Sequence, residues 1–221
     1  MISILLKNRP VVKDKCSGFI SASIILSVFS IVLLMLPVIV NVMNKFSAVD
    51  GGSDIIYYIL RGLFGLSLAV GAAVFAVKKD ILSATIPCLL GFITALFPLY
   101  DSVAALTKAH SVAQQLSMAV GYGPYLVTIG EYLLFALLCL FTLLYSIGAF
   151  RYTLIIQLIS VVASLATIFT TIDKFITYDI STYEILSFAY AAFACLIPLV
   201  LVLCTNTSEK APTKYKARRM R

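Results

Sequence analysis

The stretch LVTIGEYLLFALLCLFTLLYSIGAF, residues 126–150, decides the fold class. A single carboxylate, Glu131, interrupts an otherwise uncharged run. About 20 residues rising 1.5 Å each cover the roughly 30 Å hydrocarbon core of a bilayer, so this run is long enough to cross as a helix. Comparable runs stand on both sides of it, at residues 19–42, 55–77, 81–100, 153–172 and 185–204. With 61% hydrophobic and 12% charged residues and a mean hydropathy of +1.03, the chain is too apolar for a domain with a wetted surface. The expectation is an all-α integral membrane protein, a six-helix transmembrane bundle over residues 19–204. Basic segments at 1–18 and 205–221 flank it. The first run exceeds the roughly 7 to 15 residues of a signal-peptide h-region, and no A-x-A site follows it, so it reads as a retained helix.

Orientation follows from the cations near the run ends, because cytoplasmic loops retain Lys and Arg. With the N-terminus inside, Lys7, Arg9, Lys13, Lys15, Lys78, Lys79, Arg151 and the basic tail from Lys210 to Arg221 are cytoplasmic, while Lys45, Lys108 and Lys174 lie outside. Asp50, Asp54, Asp101, Asp173 and Asp179 fall on the same outer side. Both termini are then cytoplasmic, and the plasma membrane is the expected location. The chain has no Trp, and Tyr57, Tyr58, Tyr100, Tyr122, Tyr125, Tyr178 and Tyr183 mark the outer boundary in its place. The net charge of +7 sits largely at the ends, which argues against nucleic acid as a partner and for anionic lipid or a topogenic role.

Short inner connections at residues 78–80 and 151–152 force tight antiparallel hairpins. Between spans three and four, Leu106, Ala109, Ala113, Leu116 and Val120 recur at helical spacing, while Lys108, Ser111, Gln114 and Gln115 fall elsewhere. This predicts an amphipathic helix at the outer interface between spans three and four, stopped by Gly121, Gly123 and Pro124.

Ionisable residues inside spans are costly and therefore candidates for function. Arg61 and Glu131 lie at matched depth, each about 9 Å inside the outer boundary at 1.5 Å per residue, and Glu184 stands at the outer start of span six. Three readings stay open for them: an intramembrane ion pair, snorkelling to the headgroups, or contact with a solute. Polar stripes offer candidate path-lining residues, Ser23, Ser27 and Asn41 in span one and Gln157, Ser164 and Thr167 in span five. The same residues would serve equally as helix contacts. Pro37, Pro87, Pro98 and Pro198 each remove a backbone hydrogen bond, which frees a carbonyl for a ligand or permits a kink.

Several classes are disfavoured by the sequence. It has no G-x-x-x-x-G-K-[ST], no H-E-x-x-H, one histidine (His110) and five cysteines without C-x-x-C spacing. No cofactor or metal is expected, and no catalytic residue is spaced to a base. The leading expectation is small-solute transport, or the substrate-binding membrane subunit of a transporter, through an outward-facing cavity near Arg61, Glu131 and Glu184. In size and span number alone the chain is similar to the substrate-binding subunits of energy-coupling factor transporters, which would imply an external ATPase partner. The alternative is a non-transporting accessory, assembly, immunity or signalling protein that acts on other membrane subunits through helix contacts.

Overall fold

A computed structural model describes residues 10–12, 52–78, 80–116, 121–177 and 182–206. The elements are β1 (Val11–Val12), α1 (Gly52–Lys78), a 3-10 turn (Ile81–Ala84), α2 (Thr85–Leu116), α3 (Gly123–Ser146), α4 (Thr153–Thr177), α5 (Thr182–Leu203) and β2 (Thr205–Asn206). The expected first span, with Ser23, Ser27 and Asn41, lies outside the described residues, as do the terminal segments 1–9 and 207–221. Among the described residues, three helical stretches are long and apolar enough to cross a membrane: Ile81–Gln115, Gly123–Ser146 and Thr153–Asp173. Gly62–Phe75 and Ala194–Leu203 are shorter apolar stretches. Large side chains point away from the bundle along whole helices, as with Leu63, Leu66 and Val70 on α1 and Leu154, Leu158, Leu165 and Phe169 on α4. An apolar surface that continuous is at home in lipid, not in water.

The α1–α2 hairpin is tight for two local reasons. Asp80 holds an extended backbone (φ −111, ψ 120), its carboxylate accepts from the Leu82 N–H at 3.1 Å, and its carbonyl accepts from the Ser83 hydroxyl at 2.8 Å. Gly71 then lets the helices touch: a Cβ there would stand 2.7 Å from the Ser83 carbonyl oxygen and 2.9 Å from Pro87 Cγ.

Helix α3 stops four residues short of the apolar run that encodes it. Gly148, at φ 80, takes the left-handed conformation that ends helices. Ala149 N–H donates to the Leu144 carbonyl at 2.9 Å and Gly148 N–H to that of Tyr145 at 3.0 Å, the paired bonds of a Schellman cap. Phe150 stays apolar without being helical, stacking against Phe141 (centroids 4.9 Å apart) and Tyr152 (5.6 Å).

Helix α2 continues past the expected third span into the amphipathic segment. It runs unbroken from the span into residues 101–116, because no glycine or proline follows Pro98 until Gly121. Its 32 residues extend about 48 Å, well beyond a roughly 30 Å hydrocarbon core. Along this segment Leu106, Ala109 and Ala113 are half-buried, while Lys108, Ser111, Gln114 and Gln115 are exposed.

In the bundle, α2 packs on α1 and α3, and α4 packs on α5 and more lightly on α3. Ile81, Leu138, Tyr145, Ile156, Ala163, Cys195, Leu201 and Val202 form the main core. At the Lys78 and Arg151 end, Val11 pairs with Asn206 and Val12 with Thr205 in an antiparallel bridge. Val12 packs there on Phe75, Val200 and Cys204, and Tyr145 Oη hydrogen-bonds Thr205 Oγ1 at 2.5 Å. The first and last described segments therefore meet at one end of the bundle, beside both tight connections.

Candidate functional site

Glu131 sits in the third turn of α3, half-buried, facing α4. Thr170 Oγ1 donates to its Oε1 at 3.3 Å and shares that proton with the Thr167 carbonyl at 3.0 Å. The Cys195 thiol of α5 lies close to both Thr167 and Glu131. The observed hydrogen-bond partner of this carboxylate thus comes from α4. Arg61 lies in α1 and Glu184 in α5, and their side chains are outside the described residues.

The polar stripe of α4 is sealed. Ser160, Ser164 and Thr167 are buried and Gln157 is half-buried. Ser160 Oγ donates to the Cys195 carbonyl of α5, while Thr167 Oγ1 donates to Ala163 of its own helix at 2.9 Å. Small hydroxyl residues allow close approach and contribute about 0.6 kcal/mol per interhelical bond. In this structure they seat α4 on α5.

Open space occurs elsewhere. A cavity of about 70 Å³ lies between α1, α2, α3 and α5, with no residue of α4 in its wall. Phe64, Leu68 and Phe75 contribute from α1, Pro87 and Cys88 from α2, Leu138 and Thr142 from α3, and Pro198 and Leu201 from α5. These positions fall in the half of the bundle nearer Lys78 and Arg151. Phe64 and Phe135 meet edge to face over it, centroids 6.1 Å apart at 76°. Phe64 is pressed against Gly91, where a Cβ would come within 2.8 Å of the ring and 2.9 Å of Cys139 Sγ. Glu131 is one helical turn from Phe135 and does not line the cavity.

The chemistry of the wall is narrow. Its hydroxyls are already committed, Ser83 Oγ to the Asp80 carbonyl at 2.8 Å and Thr142 Oγ1 to the Leu138 carbonyl at 2.7 Å. Cys88 and Cys139 add buried free thiols, which are weak donors. Among the described residues no group of three His, Cys, Asp or Glu side chains could hold a metal ion, and His110 instead contacts Tyr122 Oη at 2.8 Å.

Sequence reasoning points to charged and hydroxyl residues and misses an apolar site. A Leu or Phe facing a cavity has the same sequence signature as one facing lipid. The usable signal is Pro87 and Pro198, which both line the cavity. Comparison with protein-family models, with curated proteins and with solved structures gives no match.

Proposed function

We propose that this chain is a six-span plasma-membrane protein that binds a small solute within the bilayer, as a transporter or as the substrate-binding membrane subunit of one. The carrying observation is the cavity between α1, α2, α3 and α5. Its wall of phenyl and aliphatic side chains suits a small, largely uncharged guest.

The described segments support the six-span count. Val12 stands at the Lys78 end of the bundle and Gly52 at the opposite end of α1, about 40 Å away for 27 residues. The connecting residues 13–51 contain the apolar run 19–42, of the right length for one crossing. The β1–β2 bridge supports both termini lying on one side, and the cations around Lys78 and Arg151 favour the cytoplasm for that side. A second reading, a non-transporting subunit acting through helix contacts, draws support from the sealed α4–α5 interface.

The test is to purify the chain in lipid discs formed directly from membranes and identify the small molecules that remain with it, beside an Ala194→Phe variant that fills the cavity. A compound retained by the wild type and lost from a folded variant is the expected result. Identical small-molecule content in both would overturn solute binding and favour the second reading.

A further inference from the structure

The cavity reaches almost to one end of the bundle. Phe75 near the end of α1, and Val200 and Leu201 near the end of α5, belong to its wall. The same Phe75 and Val200 pack with Val12 of β1 and with Cys204, and Val12 and Cys204 are buried there. Val12 therefore stands behind the last cavity residues at the Lys78 and Arg151 end. The pairing that seats it is short: β1 and β2 match over two residues each, Val11 with Asn206 and Val12 with Thr205. One side-chain bond reinforces it. Thr205 Oγ1 donates to the Val202 carbonyl at 3.1 Å, so in its 2.5 Å contact with Tyr145 the tyrosine hydroxyl is the donor. Tyr145 is fully buried, one helical turn beyond the cavity residue Thr142.

The rest of this end is fixed more firmly. Asp80 ties the α1–α2 corner to Leu82 and Ser83, and Thr85 Oγ1 meets Ser146 Oγ at 3.1 Å, joining the start of α2 to the end of α3. The β1–β2 clasp instead joins segments from opposite ends of the described chain. Two-stranded pairing is marginally stable by itself, and local opening concentrates in segments that bury little apolar surface. Resting on the solute-binding reading above, we propose that this clasp is a gate to the cavity. With Val12 seated on Phe75 and Val200 the solute space is closed at the Lys78 and Arg151 end, and parting β1 from β2 opens it to water there.

The experiment uses the full chain in lipid discs and a small cationic methanethiosulfonate reagent, which stays in water and marks thiols. Modified cysteines are identified by peptide mass spectrometry. Cys88 and Cys139 line the cavity and report its opening, whereas Cys195 is buried outside the wall and reports general loosening of the bundle. Val12→Asp, which places a charge in an apolar seat, is expected to speed modification of Cys88 and Cys139 at least tenfold and to leave Cys195 unchanged. Tyr145→Phe removes one hydrogen bond and is expected to speed the same two cysteines roughly threefold to tenfold. In a Val11→Cys/Asn206→Cys variant the two Cα atoms are direct antiparallel partners, about 4.5–5.5 Å apart and within reach of a disulfide. That bridge is expected to slow modification of Cys88 and Cys139 below the wild-type rate, and reducing it, then removing the reductant, to restore that rate. Equal rates at Cys88 and Cys139 in the wild type, the bridged form and the opened variants would overturn the gate. Such a result would leave solute binding standing, because retention of a small molecule by the wild type against Ala194→Phe tests it separately. Acceleration of Cys195 together with the cavity cysteines would also overturn the gate, since the bundle as a whole would then be loosened. Should Val12→Asp fail to fold, Tyr145→Phe and the bridged form still decide.

Discussion

The α4–α5 interface and the space between α1 and α5 are built from opposite materials and behave in opposite ways. The first is rich in hydroxyls, with Ser160, Ser164 and Thr167 buried, and it is closed. The second is lined by Phe64, Leu68, Phe75 and Leu201 and it holds a cavity. In water the polar side chains would be expected to mark the opening and the apolar ones the packed core. In a bilayer the hydrophobic effect does not drive helices together, because lipid tails are as apolar as leucine. Close packing falls to small and hydroxyl-bearing side chains, and bulky apolar residues are free to line a void.

Substitutions at four positions sharpen that contrast, each read as the shift in stability during denaturation of the purified protein. Gly71→Ala is expected to have the largest effect, a loss of about 2–3 kcal/mol, because the new methyl meets the Ser83 backbone carbonyl and a proline ring. Gly91→Ala should cost less, about 1–2 kcal/mol, since the Phe64 ring and Cys139 thiol are side chains that can shift. If the two alanines were equally tolerated, the hairpin would not be as close as described. Ser160→Ala removes the hydroxyl bonded to the Cys195 carbonyl across the α4–α5 contact and should lose about 1 kcal/mol. Thr142→Val on the cavity wall should change stability least, by about 0.5 kcal/mol or below, because its hydroxyl bonds only to Leu138 of its own helix. A Thr142 variant costlier than the Ser160 variant would reverse the assignment of sealed and open interfaces.

Long uncharged runs make the helices legible in the amino-acid sequence, and the inner connections at residues 78–80 and 151–152 are readable from their brevity. Helix ends are less legible where composition and backbone disagree. Residues 147–150 are apolar enough for a span, yet Gly148 ends α3 at Ser146. Conversely, the change to polar residues after Tyr100 suggests a new element, whereas nothing in 99–116 interrupts helical hydrogen bonding. The alternation of half-buried Leu106, Ala109 and Ala113 with exposed Lys108 and Gln114 is readable because helical periodicity fixes which side chains share a face. The cavity is not readable, because it depends on how Phe64 and Phe135 pack across two helices distant in sequence. Glu131 stands out for its cost in the membrane, and its observed neighbour, Thr170, is an ordinary residue that no pattern selects.

The central claim, that the hydroxyl-rich interface is closed while the apolar one admits small molecules, can be tested on the full chain in lipid discs by mapping where a phenyl-diazirine photolabel inserts. The account predicts saturable labelling on the wall residues Phe64, Cys139 and Leu201, and none at Ser160, Ser164 or Thr167. Labelling of the α4 stripe together with an unlabelled wall would contradict it.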